Sequence, residues 1–115
     1  MAIHDRGLHC ENLVAKYFAD QGYELVERRF RTPYAEIDLI LKHPQSGWLL
    51  VEVKSVVNFD WLGPVVTARQ AKRLMEAYEW YCERETENVS IQLAVVSQDD
   101  EVFVFEDGLM DLLTP

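Results

Sequence analysis

Along this chain the spacing of apolar residues switches between a helical and a strand-like period, and each switch marks an element. From about Asp5 to Asp20, Leu8, Leu13, Val14, Ala15, Tyr17 and Phe18 recur close to a helical period, and Gly22 follows as a C-terminal stop. This predicts an amphipathic first helix. Glu24 to Arg31 alternates like a strand, with Leu25 among charged neighbours, and Thr32-Pro33 breaks it. Ala35 to Lys42 reads as a second strand, Pro44-Gln45-Ser46-Gly47 as a turn and Trp48 to Ser55 as a third strand, together an antiparallel meander. Asn58 to Pro64 reads as a loop whose aromatics, Phe59 and Trp61, either contact a partner or fold back onto the core.

Thr67 is placed to cap a long helix running to about Glu85, with Leu74, Ala77, Tyr78 and Tyr81 on one stripe. Val89 to Val96 is a strong strand, Asp99-Asp100 a turn and Val102 to Phe105 a final strand. The predicted fold is α/β, a central mixed β-sheet flanked by helices in the order α-β-β-β-α-β-β. The strand after the long helix is expected to lie parallel to a meander strand through a crossover. With 115 residues the chain has room for one domain, spanning 1–115.

Two blocks inside this pattern carry charge where a buried strand should not. Glu36-Ile37-Asp38-Leu39-Ile40 and Val51-Glu52-Val53-Lys54-Ser55 are short apolar strands holding acids. Strand side chains alternate, so Glu52 and Lys54 share one face while Val51 and Val53 pack on the other. With Asp38 from the neighbouring strand they make two carboxylates and one ammonium, the minimum equipment for metal-assisted phosphodiester cleavage. Charges in a half-buried sheet cost free energy unless they are paired or bind a metal. The commoner fate of an E-x-K pair is solvation on the open face of an antiparallel sheet, and spacing alone leaves both readings open.

Composition narrows the alternatives. Hydrophobic residues make up 49% of the chain and are spread along it, which argues against disorder. No apolar run approaches the roughly 20 residues that span a bilayer, so no membrane association is expected. The start Met-Ala-Ile-His-Asp-Arg-Gly lacks the apolar core of a signal peptide, which points to a cytoplasmic protein. Cys10 and Cys82 have no nearby C-x-x-C partner and read as reduced thiols, and the scattered His4, His9 and His43 are assigned no chemistry. A net charge of −9 argues against a generic nucleic-acid binder. Its distribution weakens that objection, because residues 83–115 hold nine acids and one base, the rest eleven acids and ten bases. Arg28, Arg29 and Arg31 cluster, as do Arg69, Lys72 and Arg73, either as a local basic stripe or as ordinary solvated faces.

Nearly the whole chain resembles the YraN family, small bacterial proteins regarded as relatives of the PD-(D/E)XK nucleases and of archaeal Holliday junction resolvases. The resemblance rests on Gly7, Glu11 and Ala15, on Gly22-Tyr23, Arg28 and Arg31, on the blocks around Asp38 and Glu52-Val53-Lys54, and on Gly63 and Arg69 through Leu74. It implies a restriction-endonuclease-like fold, with Asp38 and Glu52 as ligands of Mg²⁺ or Mn²⁺ and Glu11 as an accessory acidic ligand. Lys54 would orient or deprotonate the nucleophile, or stabilise the developing charge. Arg28, Arg31, Arg69, Lys72 and Arg73 would position a DNA backbone, giving structure-selective or nonspecific binding. Resolvases act as dimers because two strands must be cut, so the resemblance also allows a homodimer. Ala35 stands where the family usually has Gly, Val56 where it commonly has Arg, and no acid follows the start of the strand near Gln92. The alternative is a noncatalytic module of the same fold that binds nucleic acid or a protein through the Phe59 to Pro64 loop.

Overall fold

The computed structural model describes residues 5–56, 66–107 and 109. The expected Asn58 to Pro64 loop and His4 lie outside the described residues. The elements are α1 (Asp5–Ala19), β1 (Glu24–Arg31), β2 (Glu36–His43), β3 (Gly47–Ser55), α2 (Ala68–Cys82), β4 (Val89–Val96) and β5 (Val102–Phe105). The five strands form one sheet in the order β1-β2-β3-β4-β5. All contacts between neighbours are antiparallel except β3 with β4, which run parallel from Trp48↔Val89 to Ser55↔Val96. This is the mixed sheet expected from the order of elements, and the parallel step is the one that the long helix bridges.

Apolar patterning assigns one helix to each face. Cys10, Val14 and Phe18 of α1 pack on Leu39, Leu41, Leu49, Val51, Ala94 and Val96. Ala77 and Tyr81 of α2 pack on Ile37, Ile40, Leu50 and Val89, while Ala71 and Leu74 meet Leu93 and Val95. β3 is central and covered on both faces, which is why Leu49, Leu50 and Val51 form an unbroken apolar run. Among the described residues no helix is long and apolar enough to cross a membrane.

Local chemistry fixes the ends. At the close of α1 the amide of Tyr23 donates to the Phe18 carbonyl at 3.0 Å and that of Gly22 to Ala19 at 3.0 Å. Gly22 itself sits at φ 95, the left-handed stop that favours glycine. Thr67 caps α2 in a reciprocal box, its hydroxyl accepting from the Gln70 amide while the Gln70 side chain accepts from the Thr67 amide. The helix ends at Cys82, three residues before the expected Glu85. The amides of Arg84 and Glu85 turn to the carbonyls of Tyr81 and Cys82, three residues back, tightening the chain out of α geometry.

The β1–β2 pair is irregular between Leu25 and Glu27, and the pleat reverses at the site. Leu39 and Leu41 face α1, yet Ile37, two residues before Leu39, faces α2. Strict alternation would put all three on one face. The same reversal occurs on β1, where Arg28 reaches Asn12 of α1 and Phe30 packs against Trp80 and Tyr81 of α2. Between these reversals stand Asp38 and, opposite it, Arg29 at φ 51.

Candidate active site

Asp38 leaves the regular ladder. The β2–β3 pairing runs only as far as Leu39↔Val51, and beyond it the Asp38 carboxylate takes the place of a backbone acceptor, receiving the Val53 amide at 2.8 Å. The strands are thereby wedged apart by a carboxylate fixed at the tip of the wedge. Holding a residue with a side chain at positive φ costs about 1–3 kcal/mol, so the Arg29 conformation that accompanies the wedge is bought by packing elsewhere.

Glu52 and Lys54 project from β3 beside Asp38. Lys54 Nζ is 3.3 Å from Glu52 Oε2, and the Glu52 side chain is only 12% exposed. This excludes the open-face reading of the E-x-K pair: β3 is an inner strand and Glu52 is largely withdrawn from water. Burial, then the charge of Asp38 and a hydrogen bond with it, push the Glu52 carboxyl up to about 8 against the opposing pull of Lys54. Glu52 Oε1 is buried without a hydrogen-bond partner among the described residues. A buried, unpaired carboxylate oxygen beside a second carboxylate is an arrangement that a cation would satisfy.

Glu11 projects from α1 towards the same point, with its side chain 9% exposed. Burial is the larger cause and the charge of Asp38 the second that raise its carboxyl; Arg29 and Arg28 oppose them. Arg28 Nη1 lies 3.6 Å and Arg29 Nε 3.7 Å from Glu11 Oε1. Arg28 also donates to Asn12 Oδ1 at 2.8 Å. The structure therefore places Arg28 behind Glu11 as its counter-charge, on the α1 side. Arg29, which the sequence did not single out as a site residue, shares that role, and the only signal for it is the left-handed backbone that no local motif announces.

On the other side Glu52 opens into a cleft of about 320 Å³, lined also by Arg31, Tyr34, Glu36, Gln70 and Arg73. Arg31 is 82% exposed and approaches Glu36 at 3.4 Å. Arg73 Nε donates to the Tyr34 carbonyl at 3.0 Å. Arg69 and Lys72 stand exposed on the first turns of the same helix. Of the expected backbone-binding residues, Arg31 and Arg73 thus line the cleft, Arg69 and Lys72 are exposed on α2, and Arg28 is turned to α1. Among the described residues no three His, Cys, Asp or Glu side chains are gathered closely enough to grip an ion alone. The donor set fits Mg²⁺ or Mn²⁺ nevertheless, because Mg²⁺ keeps several waters and needs only one or two carboxylates. Asp38 and Glu52 are the two that could supply them, with Glu11 behind.

The model of the uncharacterised protein family UPF0102 matches residues 10–100. The chain belongs to this family. UPF0102 relatives include a protein of Rhodopseudomonas palustris (strain BisB18), 36% identical over 87 residues that cover 76% of this chain and 64% of the relative. One from Nitrobacter winogradskyi is 38% identical over 77 residues, 67% of this chain and 64% of the relative. One from Shewanella baltica (strain OS155) is 32% identical over 95 residues, 81% of this chain and 87% of the relative. The chain thus matches slightly under two thirds of the length of the Rhodopseudomonas and Nitrobacter proteins. Among solved structures, SfsA of Pyrococcus furiosus in complex with Ca²⁺ aligns with a TM-score of 0.35 at 14% identity, covering 87% of this chain and 61% of SfsA.

Proposed function

We propose that this UPF0102 chain is a divalent-metal-dependent nuclease that hydrolyses DNA phosphodiester bonds, with a preference for structure over sequence in the manner of a resolvase. The observation that carries the reading is the grouping of Asp38 and Lys54 around Glu52, which itself lines a cleft that also holds Arg31 and Arg73. A divalent ion held by Asp38 and Glu52 would neutralise charge on the phosphate and lower the pKa of an attacking water. The chain's own residues do the rest. The Val53 amide fixes the Asp38 carboxylate so that it need not reorganise as charge develops. Lys54 holds an ammonium 3.3 Å from Glu52, in position to orient the water or to donate to the phosphate oxygen as negative charge builds. Glu11, held by Arg28 and Arg29, adds negative potential behind Asp38 and draws a cation inward. Arg31 and Arg73 hold the backbone at the mouth, contacts that carry no base information.

The test is incubation of labelled linear, nicked and four-way-junction DNA with Mg²⁺ or Mn²⁺, for the native chain and for Asp38→Ala and Lys54→Ala. Cleavage by the native chain that both substitutions abolish is the expected result. No cleavage of any substrate by folded protein would favour a noncatalytic module that uses the same cleft for binding.

A further inference from the structure

We propose that Tyr34 is a base-stacking platform at the mouth of the cleft, and that the site accordingly takes a nucleic acid with an unpaired nucleotide next to the bond to be cut. This rests on the nuclease reading above and specifies its substrate class.

Tyr34 stands on the turn between β1 and β2, and this turn is held unusually firmly. The Thr32 hydroxyl accepts from the amides of Tyr34 at 3.2 Å and Ala35 at 3.0 Å and donates to the Ala35 carbonyl at 2.7 Å. From the opposite wall Arg73 pins the Tyr34 carbonyl. The backbone is thus fixed by five hydrogen bonds, counting the Thr32 amide to the Ala35 carbonyl, while the residue remains 42% exposed. No aromatic ring of the described residues stacks on Tyr34, in contrast to the other rings around α2, where Phe30, Trp48, Trp80 and Tyr81 engage one another. An exposed ring on a preorganised turn loses little freedom when a flat partner settles on it.

Charge specifies that partner. Tyr34 lines two clefts at once: the one containing Arg31, Arg73, Glu36 and Glu52, and a smaller one walled by Glu76, Glu79 and Glu83 with Trp80. Tyr34 therefore marks a boundary between a side that offers two cations among its acids and a side whose charged groups are all acids. The division runs along α2 against the helix macrodipole, with no acid in the first turn and no base in the last. Helix stability does not ask for this arrangement, whereas a polyanion that must stop or turn at Tyr34 does. A continuous duplex would carry its phosphates across the acidic wall, and its bases, already stacked, offer no face to a surface ring. A single strand can keep its phosphates on Arg31 and Arg73 and lay one base on Tyr34.

The experiment is fluorescence anisotropy of labelled single-stranded, forked and blunt duplex DNA in EDTA, which separates binding from chemistry. Tyr34→Ala is expected to weaken single-strand and forked binding about tenfold, in keeping with the worth of one stacked base, and blunt-duplex binding less than about twofold. Tyr34→Phe should bind as the native chain does, and an abasic nucleotide at the stacked position should reproduce the alanine loss without any substitution. Unchanged single-strand binding by Tyr34→Ala, or equal losses on all three DNAs, would overturn the proposal. Such a result alongside cleavage that still requires Asp38 would leave the nuclease reading standing. A selective Tyr34 effect without cleavage would remove the chemistry and keep the platform.

Discussion

Glu52→Gln should make the chain more stable at neutral pH, because it removes a carboxylate that has to take up a proton when the chain folds. Glu52 has an ordinary value of 4.5 and is pushed to about 8 in the fold, by burial first and then by Asp38. Between those values the folded chain keeps a proton that the unfolded chain has released. Its contribution to stability is therefore intact below about 4.5, declines as pH rises, and levels off above about 8, when the folded group has ionised too. A proton held at one end of the equilibrium only makes stability fall by roughly 1 kcal/mol per pH unit, so from pH 5.5 to pH 7.5 the native chain should lose on the order of 2 kcal/mol through this group. Glutamine has the shape of the protonated acid and can still accept from Lys54, yet it has no proton to take up. Urea unfolding of the two proteins at half-unit pH steps gives the difference directly, and taking the difference cancels the titrating groups that do not interact with Glu52. The gap should open with rising pH in favour of Glu52→Gln, and excess Mg²⁺ should narrow it by stabilising the ionised native site. Native and variant curves that run parallel would refute the account of Glu52.

Three further outcomes follow from the geometry. Asp38→Asn keeps an oxygen for the Val53 amide but removes the neighbouring charge, so the Glu52 midpoint, followed by carboxyl NMR, should fall from about 8 towards the ordinary range while the fold persists. Thr67→Ala removes one half of the α2 capping box and should lower unfolding free energy by about 1 kcal/mol, read from thermal or urea unfolding. Gly47→Ala should destabilise more, by about 2 kcal/mol or above, because the residue sits at φ 89 and its new Cβ would run into the Asn88 carbonyl, which already accepts the Trp48 amide.

The elements were legible because each is encoded locally. Period, a Thr67 cap and a Gly22 stop are written within a few residues of one another, so order, strand count and both helices could be read from the chain. The parallel pairing of β3 with β4 was also foreseeable, since a long helix between two strands leaves few other returns. Asp38, Glu52 and Lys54 were singled out because charge inside apolar strands violates the pattern of a buried sheet. Spacing could not decide whether Glu52 and Lys54 face solvent, because that depends on β4 and α2, elements distant in sequence. Nor could it show the reversal of the pleat at Arg29 and Asp38: two facing residues depart from alternation together, and neither is a glycine or proline that would announce it. The roles of Arg28 and Arg29 were hidden for the same reason, since that reversal directs them to Glu11 on α1. Tyr34 was passed over because an aromatic after Thr-Pro in a turn has no period, and its setting is made by α2.

The metal centre is the claim on which the rest depends, and calorimetric titration of the chain with Mn²⁺ at pH 7.5 tests it most directly. The account predicts saturable binding that Asp38→Asn and Glu52→Gln each abolish. It also predicts release of a substantial part of one proton on binding, seen as a dependence of the heat on the buffer's ionisation enthalpy, because Glu52, pushed up to about 8, is mostly protonated at pH 7.5 and must ionise to ligate. Absence of binding, binding indifferent to both substitutions, or binding without proton release would contradict it.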